Sequence, residues 1–275
     1  MFRKLIRNDP QNPVLITIPH SGDFYPDIFL EQIKLDLSKI RQIEDFKSDE
    51  IIKFVNKDAA DILISKCSRA VVDLNRSRKA LDNNMFKEII LHSDPDEKKM
   101  LSYGLGVLPK LIQNENIFKS KLTTYYGNHI LETFYDPFHL SIQTQIETLM
   151  SKFGACYHFD LHSMPQRAVK NMKNIPDIVL GDNFRKSCSL ELINYIKNQF
   201  EKHDLIVSIN QPYAGGFITR NYGNPSKGIE TIQIEVNRSL YMDENKLLLK
   251  NIEPIQKIFS EIFNFFSYNF KIAAE

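Results

Sequence analysis

Short runs of β-branched and apolar residues recur along the whole chain: VLITI (14–18), DILIS (61–65), AVVD (70–73), CYHFDL (156–161), LIVSI (205–209) and TIQIEV (231–236). Between some of them apolar residues step at three and four instead. Leu140, Ile142, Ile146, Leu149, Met150 and Phe153 do so, as do Leu190, Ile193, Ile196 and Phe200. Each period belongs to a different backbone, so the alternation predicts an α/β sheet covered by amphipathic helices. The late stretch LLLKNIEPIQKIFSEIFNFF reads as a closing helix, and no glycine-serine linker or internal repeat divides the 275 residues. A single domain over 1–275 is expected. The segment from Asn75 to about Tyr126 is the exception, with weak periodicity and scattered Asn83, Asn84, Asp94, Pro95, Gly104 and Gly106. It reads as a long excursion.

Charge narrows the function classes. Thirty-five basic residues against thirty-four acidic ones leave a net charge of +1. No bulk field favours nucleic acid or an anionic membrane, so neither is expected as a partner. Three cysteines, Cys67, Cys156 and Cys188, form no CxxC pair, which argues against a disulfide framework or a thiolate metal site and for a reducing cytoplasm. No signal peptide or run of eighteen apolar residues is evident.

Ligands of open α/β sheets gather at the carboxyl ends of the strands. Here VLITI runs into Pro19-His20-Ser21-Gly22, AVVD into Leu74-Asn75-Arg76, CYHFDL into His162-Ser163-Met164, and TIQIEV carries Glu235 into Asn237-Arg238. Strand periodicity puts His158, Asp160 and His162 on one face, so that Asp160 can support His162 or cap a neighbouring backbone group. It also groups Gln233, Glu235 and Asn237. Two histidines at different strand ends with a nearby carboxylate form the ligand set of a catalytic zinc site. His20 and His162 are the expected pair, and the third ligand is expected from EDFKSD (44–49), where Asp45 and Asp49 are both candidates. The bland alternative is that Ser48 or Asp49 caps a helix over SDEIIKFV. Glu235 is the candidate proton acceptor, or else a buried partner of Arg220 or Arg238. Arg76, Arg220 and Arg238 are candidates for reading a substrate carboxylate, and Gly215-Gly216 suits a loop folding over a ligand.

Together the blocks IPHSG (18–22), EDFKSD (44–49), VVDLNRS (71–77), FDLHSMP (159–165), PDIVLGD (176–182), GGFITRNYG (215–223) and IQIEVNRSLYMDE (232–244) resemble the N-formylglutamate amidohydrolase family, in family order and over most of the chain. The resemblance implies a mixed sheet between helices with a zinc-carboxypeptidase-like architecture. It further implies one divalent metal, zinc, held by His20, His162 and an acidic residue for which Asp45 is favoured over Asp49. Glu235 takes the general-base role, and Asn75, Arg76 and Arg220 fall in substrate-facing blocks. The chain departs from the family pattern in having Phe46 where many members carry tryptophan, and in the region 78–125.

The implied reaction is hydrolysis of the formyl amide of a small acidic N-acyl amino acid, N-formyl-L-glutamate, to formate and L-glutamate. Its rivals are a metal-dependent deacylase or peptidase with another substrate, a non-catalytic binding protein on the same scaffold, and a serine hydrolase using Ser21 or Ser163. No G-x-S-x-G elbow supports the last.

Overall fold

The two-residue alternation of CYHFDL continues through His162 to Met164, and this nine-residue strand is the centre of the architecture. The computed structural model describes residues 2–88 and 97–273, with side chains through Asn264. The strands that matter are β1 (Phe2–Leu5), β2 (Val14–Ile18), β3 (Asp61–Ser65), β4 (Leu111–Ile112), β5 (Glu115–Asn116), β6 (Cys156–Met164), β7 (Ile178–Gly181), β8 (Val207–Ile209) and β9 (Ile229–Asn237). The helices are α1 (Asp27–Leu30), α2 (Leu37–Ile40), α3 (Lys98–Ser102), α4 (Thr124–Ile130), α5 (Asp136–Phe153), α6 (Leu190–Glu201), α7 (Phe217–Tyr222) and α8 (Glu253–Ala273). None of the described helices is long and apolar enough to cross a membrane.

Among the described residues one seven-stranded sheet has the order β1-β3-β2-β6-β9-β7-β8. Strands β3, β2, β6 and β9 run parallel, β7 runs antiparallel to β9, and β8 is parallel to β7. The sheet is therefore mixed, and the α/β class read from the sequence is the class observed.

The chain resolves into two compact units: Met1–Arg3, Pro19–Phe46 and Ser65–Ser141 form the first, and Lys4–Ile18, Lys47–Ile64 and Ile142–Glu275 the second. In the second unit the strands bury apolar residues on one face, including Phe159, Leu161, Ile232 and Ile234. Helix α8 supplies the cover: Phe263 meets Phe159 edge to face at 5.1 Å, and Phe259 lies 5.3 Å from Phe200 of α6. Burying each such ring contributes about 1.5–3 kcal/mol. The opposite face of β6 is polar, which is where the site begins.

The first unit is built from short helices, turns and the β4-β5 hairpin, with Phe29, Phe118 and Tyr126 stacking edge to face in sequence. A π-helical turn, Leu131–Tyr135, joins α4 to α5. It carries Tyr135 into a hydrogen bond from its hydroxyl to the Arg76 carbonyl at 2.8 Å, and Tyr135 stacks on His139, whose Nε2 meets the Leu74 carbonyl at 2.9 Å. The described part of the excursion expected from Asn75 thus combines turns with the short helix α3 and the β4-β5 hairpin, and the π-helical turn and α5 hold its start. Asp94 and Pro95 lie outside the described residues.

Three local expectations are corrected. AVVD is not a strand: Val71 and Val72 are buried, but their amides close turns onto the Ser68 carbonyl, and the Asp73 side chain accepts the Asn75 amide in an Asx turn. LIVSI shortens to Val207–Ile209. SDEIIKFV is no capped α-helix but a 3-10 turn over Ser48–Ile52, entered through Lys47 at φ 52° with no side-chain cap.

Candidate active site

In the second unit, β6 and its neighbours assemble a buried polar chain. Thr17 of β2 stands in register with Asp160, and its hydroxyl donates to Asp160 Oδ1 at 2.7 Å. Having given its proton there, Thr17 accepts from His158 Nε2 at 2.9 Å, which fixes the His158 tautomer. The other Asp160 oxygen accepts a hydrogen bond from His162 Nε2 at 2.8 Å. All four side chains are buried. Burial pushes His158 down to about 4, against the opposing pull of Asp160, so His158 is neutral. Burial alone would raise Asp160, but His162, His158 and Thr17 outweigh it and hold the carboxyl below its usual range. The outcome is an anionic carboxylate that orients the His162 ring through Nε2.

Beside His162, in register on the adjoining parallel strand, stands Glu235. Paired residues on adjacent strands share a face. Glu235 is buried and its Oε1 accepts from Gln233 Nε2 at 2.8 Å. Asn237 is engaged structurally, donating to the Pro176 carbonyl and receiving the Ser239 amide. Arg238 is also buried and donates from Nε to Ser163 Oγ at 3.1 Å. Arg220 lies exposed on α7.

In the first unit, the chain that leaves β2 presents His20, whose Nε2 meets Asp73 Oδ1 at 2.7 Å while Nδ1 faces Asp45 Oδ2 at 3.6 Å. Arg69 spans the two carboxylates, reaching Asp45 at 3.2 Å and Asp73 at 2.9 Å. Burial would raise Asp73, but His20, Arg69 and Arg76 overcome it and hold the carboxyl well below the usual range. His20 therefore repeats the pattern of His162, with Nε2 on a buried carboxylate.

The acidic stretch now divides. Glu44 is buried and receives Tyr25, Ser68 and Arg41, and burial raises its carboxyl above the ordinary range. Asp45 is the carboxylate beside His20, whereas Asp49 belongs to the second unit, half-buried on its 3-10 turn. Asn75 is buried, and Arg76 donates to the Leu105 and Asn75 carbonyls at 3.0 Å each. Sequence reasoning missed Asp73 as the partner of His20, 53 residues away, and Arg69 and Thr17 altogether; strand period grouped Gln233 with Glu235 but gave it no role.

A model of the N-formylglutamate amidohydrolase family matches residues 12–242. Similar sequences include N-formylglutamate deformylase of Pseudomonas putida, 27% identical over 241 residues covering 85% of this chain and 83% of that protein. The Pseudomonas aeruginosa N-formylglutamate deformylase is 24% identical, covering 84% and 83%. Among solved structures, an N-formylglutamate amidohydrolase from Ralstonia eutropha superposes with a TM-score of 0.92 at 24% identity, covering 99% of each chain. An Agrobacterium tumefaciens gene product does so at 0.63 with 16% identity, covering 96% and 91%. These likenesses to solved structures concern the fold.

Proposed function

Because the chain belongs to the N-formylglutamate amidohydrolase family, we propose that it hydrolyses the formyl amide of N-formyl-L-glutamate, yielding formate and L-glutamate, with one zinc ion held by His20, Asp45 and His162. The observation that carries the metal is the repeated carboxylate–histidine pairing. His20 on Asp73 and His162 on Asp160 each set Nε2 against a buried carboxylate, the support that metal-ligating histidines receive. All three proposed ligands are buried, and two imidazoles with one carboxylate suit zinc with an open position.

When bound, such an ion supplies Lewis acidity and lowers the pKa of water. Glu235 then takes a proton from the attacking water and returns it to the leaving nitrogen as the carbon–nitrogen bond breaks. One water is consumed; formate and the free amine leave. Asn75, Arg76 and Arg220 bind the two substrate carboxylates, and guanidinium forks suit that task. Local cations of this kind let a chain of net charge +1 select a dianion. We place the reaction in the cytoplasm and treat residues 1–275 as one catalytic domain, a reading supported by a family match that runs through both units.

The test is elemental analysis of the purified protein combined with formate release from N-formyl-L-glutamate before and after chelation, with N-acetyl-L-glutamate and a glutamyl dipeptide as comparisons. Near-stoichiometric zinc and chelator-sensitive release preferring the formyl substrate are expected. Zinc with preference for another acyl group would overturn the substrate, and metal-independent release would overturn the mechanism.

A further inference from the structure

Strand β9 carries a glutamine that the reaction as drawn does not use. Gln233 is buried, and its amide is engaged at both ends: Oε1 accepts the Gly216 backbone N–H at 2.7 Å, while Nε2 donates to Glu235 Oε1 at 2.8 Å. The partners fix the amide orientation, since a backbone N–H requires the oxygen and a carboxylate requires the nitrogen. Glutamate at this position would set a second carboxylate against Glu235, and asparagine is one methylene too short to span both.

The loop so held is seated closely on the sheet. Gln233 stands in register with Gly181 of β7. A Cβ on Gly181 would lie 2.6 Å from the Gly215 nitrogen and 2.7 Å from the Ala214 carbonyl carbon, so only glycine lets the loop descend there. Gly215 takes φ +111°, a conformation open to glycine, and the Asn183 amide donates to the Ala214 carbonyl at 2.7 Å. Gly216 then caps α7, the helix that bears Arg220.

We propose that Gln233 is a positioning residue that clasps the 211–216 loop to Glu235, so that seating the helix bearing Arg220 and aligning the proton acceptor are one event. The inference rests on the proposed roles of Glu235 and Arg220. A residue at this junction acts on both kinetic constants: the carboxylate loses its fixed rotamer, and the arginine loses its fixed base.

The experiment compares Gln233→Met, Gln233→Asn and Glu235→Gln with the wild-type holoenzyme. It measures metal content, kcat and KM for N-formyl-L-glutamate, and hydrogen–deuterium exchange of the peptide spanning 211–217. Gln233→Met is expected to keep its metal, to accelerate exchange at Gly216 roughly tenfold, to lower kcat about 10- to 100-fold and to raise KM. Glu235→Gln retains the acceptor for Gly216, so kcat falls while exchange stays as in wild type. Gln233→Asn keeps the site polar and reproduces the exchange and kinetic changes even where the methionine variant folds poorly. Wild-type exchange in both Gln233 variants would overturn the clasp, and accelerated exchange with unchanged kcat and KM would overturn the coupling. If the wild-type enzyme leaves N-formyl-L-glutamate intact, accelerated exchange upholds the clasp and only the functional reading fails.

Discussion

Asp160 holds His162 with one oxygen and Thr17 with the other, at 2.8 and 2.7 Å, so both oxygens of a fully buried carboxylate are engaged. An amide in its place offers a single oxygen and leaves one donor unsatisfied. Asp160→Asn is expected to weaken metal binding about 10- to 100-fold, read by competition with a chromophoric chelator. Affinity equal to wild type would remove Asp160 from the support of His162.

Glu235→Gln tests the proton transfer itself. Shape and the contact with Gln233 are largely kept while basicity is lost. Turnover is expected to drop roughly a hundredfold or more with metal content intact. A metal-replete variant with unchanged kcat would assign the base elsewhere.

His158 ties stability to pH. Its folded value is about 4, below the ordinary histidine value of 6.5. On acidification the unfolded chain therefore takes up this proton first. The stabilisation is present above about pH 6.5, is lost progressively toward pH 4, and is gone below it. The difference corresponds to roughly 3 kcal/mol. Urea denaturation of the wild type and His158→Asn across this range checks it: the slope should flatten in the variant, and equal slopes would show that His158 does not carry it.

Arg69 keeps two carboxylates apart from mutual repulsion across His20. Arg69→Met retains the stem and removes the fork. Loss of about 1–3 kcal/mol is expected in metal-free protein and a smaller loss with zinc added, because a divalent cation held by the proposed ligand Asp45 would offset the missing charge. Chemical denaturation with and without zinc measures both, and equal losses would contradict the account.

Arg76 and Arg220 are exposed to different constraints. Arg76 gives two donors to carbonyls, and Arg220 stands at an exposed position of α7. Arg220→Met is expected to raise KM about tenfold or more with a smaller effect on kcat. Steady-state kinetics decide, and an unchanged KM would remove Arg220 from substrate binding.

The sheet was legible wherever period and burial agreed. VLITI, DILIS, CYHFDL and TIQIEV are β2, β3, β6 and β9 or parts of them, and alternation alone groups His158, Asp160 and His162. AVVD misled because β-branched residues also bury well in turns once an aspartate such as Asp73 supplies local hydrogen bonds. Strand β7 escaped notice because four residues ending in glycine carry too little period to read. Of the site's surroundings, Asp160 could be guessed two residues from His162. Asp73 could not be matched to His20, because a contact across 53 residues leaves no periodic trace.

Strand β6 faces two environments at once, with Phe159 against the aromatic cover of α8 and Asp160 within the polar chain. Inserting or deleting one residue between Cys156 and Met164 would exchange those faces for every position beyond it, sending a ring among carboxylates and a carboxylate among rings. Related chains are therefore free to vary this strand by substitution but not in length, and an alignment of the family should show a gap-free column block here while loops on either side lengthen and shorten.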